Sequence, residues 1–172
     1  GDGTNVSRTS PVLVSNLNGI VKVAGGGYHT VALKNDGTVW TWGYNEDGEL
    51  GNGLSGINAS RNSPVMVSGI SGIVAVATGN YHTVVLKNNG TVFTWGYNAL
   101  GALGDGTGAH AARNTPGQVV NLTRIDAVAG GGYHAVALSS DGAVWTWGYN
   151  AYGQLGDGIA TDRDTPAIVR SP

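Results

Sequence analysis

A block of 22 residues, Ala24 to Asn45, returns almost unchanged from Ala77 to Asn98 and again from Ala129 to Asn150. The second copy matches the first at 17 of 22 positions and the third at 18 of 22. Tyr28, Tyr81 and Tyr133 mark the register, at spacings of 53 and 52 residues. This repeat limits the fold more than any other feature. One such unit cannot bury its own apolar face, whereas stacked units can, and a strand-filled period near fifty reads as propeller blades or a solenoid. A second landmark occurs four times, at Gly1-Asp2-Gly3, Gly51-Asn52-Gly53, Gly104-Asp105-Gly106 and Gly156-Asp157-Gly158. Each precedes a Pro-led segment, at 11–14, 64–67, 116–120 and 166–169. The chain therefore reads as a single repeat array over 1–172, with units 1–50, 51–103 and 104–155 and a partial unit 156–172.

The strands inside a unit follow from local chemistry. Ile20–Ala24 is a short apolar run. Tyr28–Lys34 and Thr38–Gly43 flank Asn35-Asp36-Gly37, a hairpin turn in which Gly takes positive φ. The Pro-led segment adds a fourth strand, placed at a strand start or an edge because Pro cannot donate to a ladder. Composition agrees. Only 12% of residues are charged, with 2 Glu and 3 Lys, so the usual formers of exposed helices are almost absent. Val, Thr, Trp and Tyr favour strands, and 30 Gly supply turns. The expected fold is all-β, with propeller-type blades of four antiparallel strands, about three blades, not closed within one chain.

Aromatic residues fall where neighbouring blades would meet. Trp40 and Trp42 lie two apart and share one side of their strand. Phe93 with Trp95, and Trp145 with Trp147, repeat the pair, while Val39, Val92 and Val144 point the other way. Large apolar groups on both faces suit a sheet held between two others. The six aromatics read as inter-blade packing, and a sugar-stacking platform is the rival reading.

These residues resemble a known family. Gly-Gly-Gly-Tyr-His-Thr-Val-Ala-Leu, then Asp-Gly-Thr-Val-Trp-Thr-Trp-Gly-Tyr-Asn, then Gly-Glu-Leu-Gly-Asn-Gly and a Pro-Val strand are similar to the regulator of chromosome condensation repeat, most of all to its bacterial members. The resemblance spans essentially the whole chain. It implies a propeller of about seven four-stranded blades, a ring that three units cannot complete alone. It also raises nucleotide exchange on a small GTPase, carried out by a wedge inserted in one blade and by acidic loops. No unit here has an insertion of that length. A light-sensing plant branch reads Gly-Trp-Arg-His-Thr where this chain has Gly27 and Tyr28 before His29, so its chromophore and cation are both missing.

The polar residues point away from catalysis. His29, His82 and His134 occupy the same place in each unit and read as structural, each hydrogen-bonded inside its blade. An active site is normally built once, and equivalent places on a ring are too far apart for one metal. Asp36 and Asp141 are turn residues, and Asp2, Asp105 and Asp157 cap corners. Asn45-Glu46-Asp47-Gly48 suggests calcium, but the later units carry Ala99 and Ala151 there, with no oxygen ligand. Gly25-Gly26-Gly27 leads into a strand and lacks the helix N-terminus of a phosphate loop. With no Cys, thiolate catalysis and disulfides are excluded. No metal and no cofactor is expected, and the chain is not expected to be an enzyme.

Net charge is −2 with no basic block, so neither nucleic acid nor an anionic membrane is implied, and no apolar run is long enough to insert in a bilayer. The chain opens without Met or signal peptide, which reads as a processed chain or a piece of a longer one. Low Lys and Glu with much Asn, Thr and Gly suggest a secreted bacterial surface protein, with the cytoplasm as the alternative. Two functions stay open: a structural and protein-interaction module, and a lectin-like propeller that binds surface glycans at one site per blade. Buried Trp40, Trp95 and Trp147 would favour the first. The expected partner is a second copy, since three blades leave two complementary outer faces that associate head to tail into a ring or a filament. A surplus Pro-led strand, either Pro11, Val12 and Val14 or Pro166, Ile168 and Val169, would be lent to the neighbour as an edge.

Overall fold

The computed structural model describes residues 1–108 and 110–169. Twelve strands form three antiparallel sheets, and no helix occurs among the described residues. The first sheet runs β1 (Ile20–Gly25), β2 (His29–Lys34), β3 (Val39–Gly43), β4 (Arg61–Met66). The second runs β5 (Ile73–Thr78), β6 (His82–Lys87), β7 (Val92–Gly96), β8 (Arg113–Gln118). The third runs β9 (Ile125–Gly130), β10 (His134–Ser139), β11 (Val144–Gly148), β12 (Arg163–Ile168). Strands in each sheet follow chain order, as in a meander, and β1, β5 and β9 neighbour one another along the inner side. The array is an open set of three propeller blades.

Local residues explain each hairpin. In the first, Gly37 has φ +80° and its N–H donates to the Lys34 carbonyl at 3.0 Å. The Asp36 carboxylate accepts from the Thr38 N–H at 3.0 Å, which fixes the return of the chain. Pro64, Pro116 and Pro166 sit on β4, β8 and β12, the outer edges of their sheets, where a missing N–H costs no ladder bond.

The sheets are offset from the units counted along the sequence. Each Pro-led strand pairs with the aromatic strand before it, as Met66 pairs with Trp40 and Ile168 with Trp145. It closes a blade and does not open one. Pro166 and Ile168 therefore lie within β12, with Val169 bonded to the Val144 carbonyl at 2.8 Å, so this strand is not surplus. The surplus copy is Pro11–Val14, which belongs to no sheet and leaves Leu13 90% exposed.

Two apolar cores lie between blades. Val31, Leu33, Val39 and Val67 of the first blade meet Val85, Phe93 and Trp95 of the second. Val84, Leu86, Val92, Val119 and Leu122 of the second meet Ala135, Ala137, Trp145 and Trp147 of the third. Each blade thus presents an aliphatic face forward and an aromatic face backward.

Candidate functional site

The joint between blades is the most elaborately built place in the molecule. Trp95 is fully buried, and its indole N–H donates to the Glu49 carbonyl of the preceding blade at 2.7 Å. Trp147 repeats this with the Ala102 carbonyl at 2.9 Å. The ring fits because a glycine corner faces it: a Cβ on Gly51 would fall 2.7 Å from the Trp95 ring, and one on Gly104 2.8 Å from Trp147. Phe93 and Trp145 pack half-buried beside them. Trp42, the equivalent of Trp95 in the first blade, meets Gly1 in the same way. Residues 1–14 therefore stand where a preceding blade's corner and last strand would stand. Trp40 lies half-buried beneath the Lys34 ammonium, 5.9 Å from its ring centre. Gly156 is the fourth corner, and among the described residues no aromatic ring reaches it.

Buried polar groups organise the corners. The Asn45 side chain accepts from the Leu50 N–H at 2.9 Å and donates to the Leu54 carbonyl at 2.9 Å. Asn98 and Asn150 take the same N–H bond from Leu103 and Leu155, each at 2.9 Å. Thr41, Thr94 and Thr146 donate to the Leu50, Leu103 and Leu155 carbonyls. The corner Asp residues do more than cap: Asp2 pairs with Arg8 at 2.7 Å, Asp105 with Arg113 at 3.6 Å, and Asp157 with Arg163. Sequence reasoning gave these Thr and Arg residues no role and weighed Asn45 only as a calcium ligand. Their recurrence at fixed offsets was the available signal.

The histidines depart from the expectation of a bond inside each blade. His29 Nε2 lies 3.0 Å from Thr83 Oγ1 of the next blade, and that hydroxyl donates to the Glu49 carbonyl. The bond crosses the joint. His82 is fully buried, and neither of its nitrogens has a hydrogen-bond partner. The third blade carries Ala135 where the second carries Thr83, so the hydroxyl is missing. His134 is partly buried. Burial holds the His29 imidazole down to about 4 and that of His82 to about 3. Among the described residues, no three His, Asp or Glu side chains are grouped to hold one metal ion.

Glu49 was not singled out from sequence. It is fully buried at the first joint, and Oε2 accepts from the Asp47 N–H at 3.0 Å while Oε1 is unpartnered. Desolvation raises its carboxyl to about 7. Ala102 and Gln154 fill this place in the other blades.

The joints also align the tyrosines. The Tyr44 N–H donates to the Tyr28 carbonyl at 2.9 Å, and Tyr97 with Tyr81 and Tyr149 with Tyr133 repeat the bond at 2.8 and 2.9 Å. Gly43, Gly96 and Gly148 allow this, with φ of 103–108°, because a side chain there would strike the same carbonyl. One pair of tyrosines per blade therefore stands at the same end of the array.

Sequence models of the "Regulator of chromosome condensation (RCC1) repeat" match residues 1–33, 36–86, 89–138 and 141–172, and a second RCC1 repeat model matches 20–49, 73–102 and 125–154. The chain belongs to the RCC1 repeat family. It is 34% identical over 175 residues to the human E3 ubiquitin-protein ligase HERC2, covering 98% of this chain and 4% of that protein. It is 34% identical over 155 residues to the ultraviolet-B receptor UVR8 of Arabidopsis thaliana, covering 88% of this chain and 34% of that one. The RCC1 chain thus spans 4% and 34% of these two relatives. Yeast RCC1 (Prp20), in its complex with Kap60, superposes with a TM-score of 0.81 at 22% identity, over 91% of this chain and 38% of that one. Human WBSCR16 gives 0.78 at 25% identity, over 91% and 39%. Both likenesses show the fold.

Proposed function

We propose that this RCC1 chain is a non-catalytic protein-interaction module whose outer blade faces associate head to tail with a second copy. One observation carries the reading. Leu33 and Leu86 are 2% and 3% exposed inside joints, yet their equivalent Leu138 is 41% exposed; Val39 and Val92 are fully buried, yet Val144 is 37% exposed. The forward face of the third blade has the composition of a joint and no aromatic face against it. Trp40 and Trp42 of another copy are the groups that such a face meets in the two internal joints. Residues 1–14 cover Trp42 in the single chain, so association displaces that segment. All three sheets already have four strands, so Pro11, Val12 and Val14 have no missing edge to fill in a neighbour, and the segment acts as a competitor of association.

Of the three discriminating residues, Trp95 and Trp147 are fully buried and Trp40 is half-buried on the outer face; burial at both internal joints supports a scaffold over a lectin. Yeast RCC1 was crystallised with another protein, which agrees with an interaction role for this fold. Placement on a bacterial surface rests on composition alone, and protection from added protease on intact cells would count against it. The test of assembly is light scattering at micromolar concentration. The expected mass is that of two or more chains, and Trp42→Ala lowers it. A single-chain mass at every concentration overturns the reading.

A further inference from the structure

All 7 tyrosines of the chain form one ribbon across the three blades. Tyr28, Tyr81 and Tyr133 follow the inner strands, with ring centres 5.8 and 5.9 Å apart. Tyr44, Tyr97 and Tyr149 follow β3, β7 and β11 and alternate with them at 5.8–6.4 Å. Tyr152 extends the ribbon by one ring, 6.1 Å from Tyr149. Tyr28 is 68% exposed and Tyr152 89%, and the rings between are half-buried. None of them belongs to either inter-blade core. The backbone bonds that align them need no phenol. A contiguous aromatic strip that is open at both ends and partly exposed between them is uncommon unless it meets something.

Carboxylates and already bonded arginines flank the ribbon. Tyr44 donates its hydroxyl to Glu46, and that bond, with burial and the nearby Glu49 and Asp47 charges, pushes the phenol up to about 12. Tyr97 is raised by burial, then by Tyr133 and the Asp47 charge; Tyr149 by burial, then by Tyr152 and the Asp162 charge. Glu46 is bonded to Tyr44 in the first blade, and in the third Asp162 accepts from the N–H of Asn150, next to Tyr149; Tyr97 of the second blade has the Asp47 charge of the first. Arg61, Arg113 and Arg163 stand opposite Gly43, Gly96 and Gly148, one residue before the outer tyrosines; the Arg61 guanidinium is bonded to the Ala59 and Ser60 carbonyls, and Arg113 and Arg163 are paired with Asp105 and Asp157. The lysines lie elsewhere: Lys34 and Lys87 sit over Trp40 and Phe93 near the hairpin turns, and Lys22 bonds the Val74 carbonyl.

We propose that the tyrosine ribbon is a docking strip for an extended, arginine-rich peptide segment that runs across the blades. Guanidinium groups stack on tyrosine faces and pair with carboxylates at the same time, which an ammonium does less well. Alternate side chains of an extended peptide recur at about 6.6 Å, close to the blade-to-blade spacing of Tyr28, Tyr81 and Tyr133. Successive arginines on one side of the peptide therefore reach successive blades. This inference does not depend on self-association, which uses the outer faces.

Fluorescence anisotropy of a labelled alternating Arg-Gly decapeptide, titrated with the intact chain, tests it. Saturable binding is expected, weakening as salt rises and weaker for the Lys-Gly analogue. Tyr81→Ala should weaken it about tenfold or more, while Tyr81→Phe keeps most of the affinity and Glu46→Gln flattens the salt dependence. Melting curves of Tyr81→Phe and Tyr81→Ala separate lost binding from lost folding. No saturable binding, equal affinity for Tyr81→Ala when folded, or binding of a neutral hexasaccharide with the peptide silent overturns the proposal.

Discussion

His29 and His82 occupy the same place in successive blades, yet one has a partner and the other does not. The difference is a single hydroxyl, Thr83 in one joint and Ala135 in the other. Ala135→Thr should therefore stabilise the protein by about 1 kcal/mol, the usual worth of a buried hydrogen bond, or a rise of about 2–4 °C in melting temperature. No change or a fall would mean that the second joint cannot accept the added atoms. Glu49 is a second isolated group. Its folded pKa near 7 lies above its ordinary value of 4.5, so its contribution is fully present below 4.5 and is lost as pH rises towards 7. Glu49→Gln should leave stability unchanged at pH 4 and raise it at pH 8 by on the order of 1–2 kcal/mol, measured by urea denaturation at both values. The histidines act in the opposite direction. Their folded values lie below 6.5, so wild-type stability should also fall as pH drops from 6.5 towards 4. Little of this was legible in the sequence. A repeated His reads as structural, but its bond runs to another blade, and only the packing of two copies brings Thr83 to His29.

At the scale of the strand and its neighbours, Trp95 should carry the greatest weight. It is fully buried, fills a glycine corner and donates to Glu49 across the joint. Trp95→Ala should cost about 3–5 kcal/mol. Trp40→Ala should cost less than half as much, because Trp40 is half-buried on the outer face of the first blade. Equal losses in chemical denaturation would contradict this ranking of the joints. The strands themselves were legible, since Asn35-Asp36-Gly37 and its repeats announce each hairpin and the Trp-x-Trp pattern marks its second strand. The cut between blades was not. A periodic sequence fixes a spacing and leaves open whether Pro64 begins one blade or ends another. Hydrogen bonding decides it, since Thr41 pairs with Val65 and not with a residue further on.

For the whole molecule, three blades give two finished joints and two outer faces. The forward face bears Leu138 and Val144, both exposed. The backward face bears Trp40 and Trp42, and residues 1–14 lie against Trp42 as the corners of internal blades lie against Trp95 and Trp147. That segment duplicates what the Gly156 corner and β12 would supply from another copy. It competes with association. Sedimentation velocity on the full chain and on a chain beginning at residue 18 measures this competition directly. The shorter chain, shown by circular dichroism to keep its strands, should form dimers or longer assemblies at lower concentration than the full chain. If the shorter chain stays folded and strictly monomeric at all concentrations, the outer faces are not unfinished joints and the account of head-to-tail assembly is wrong.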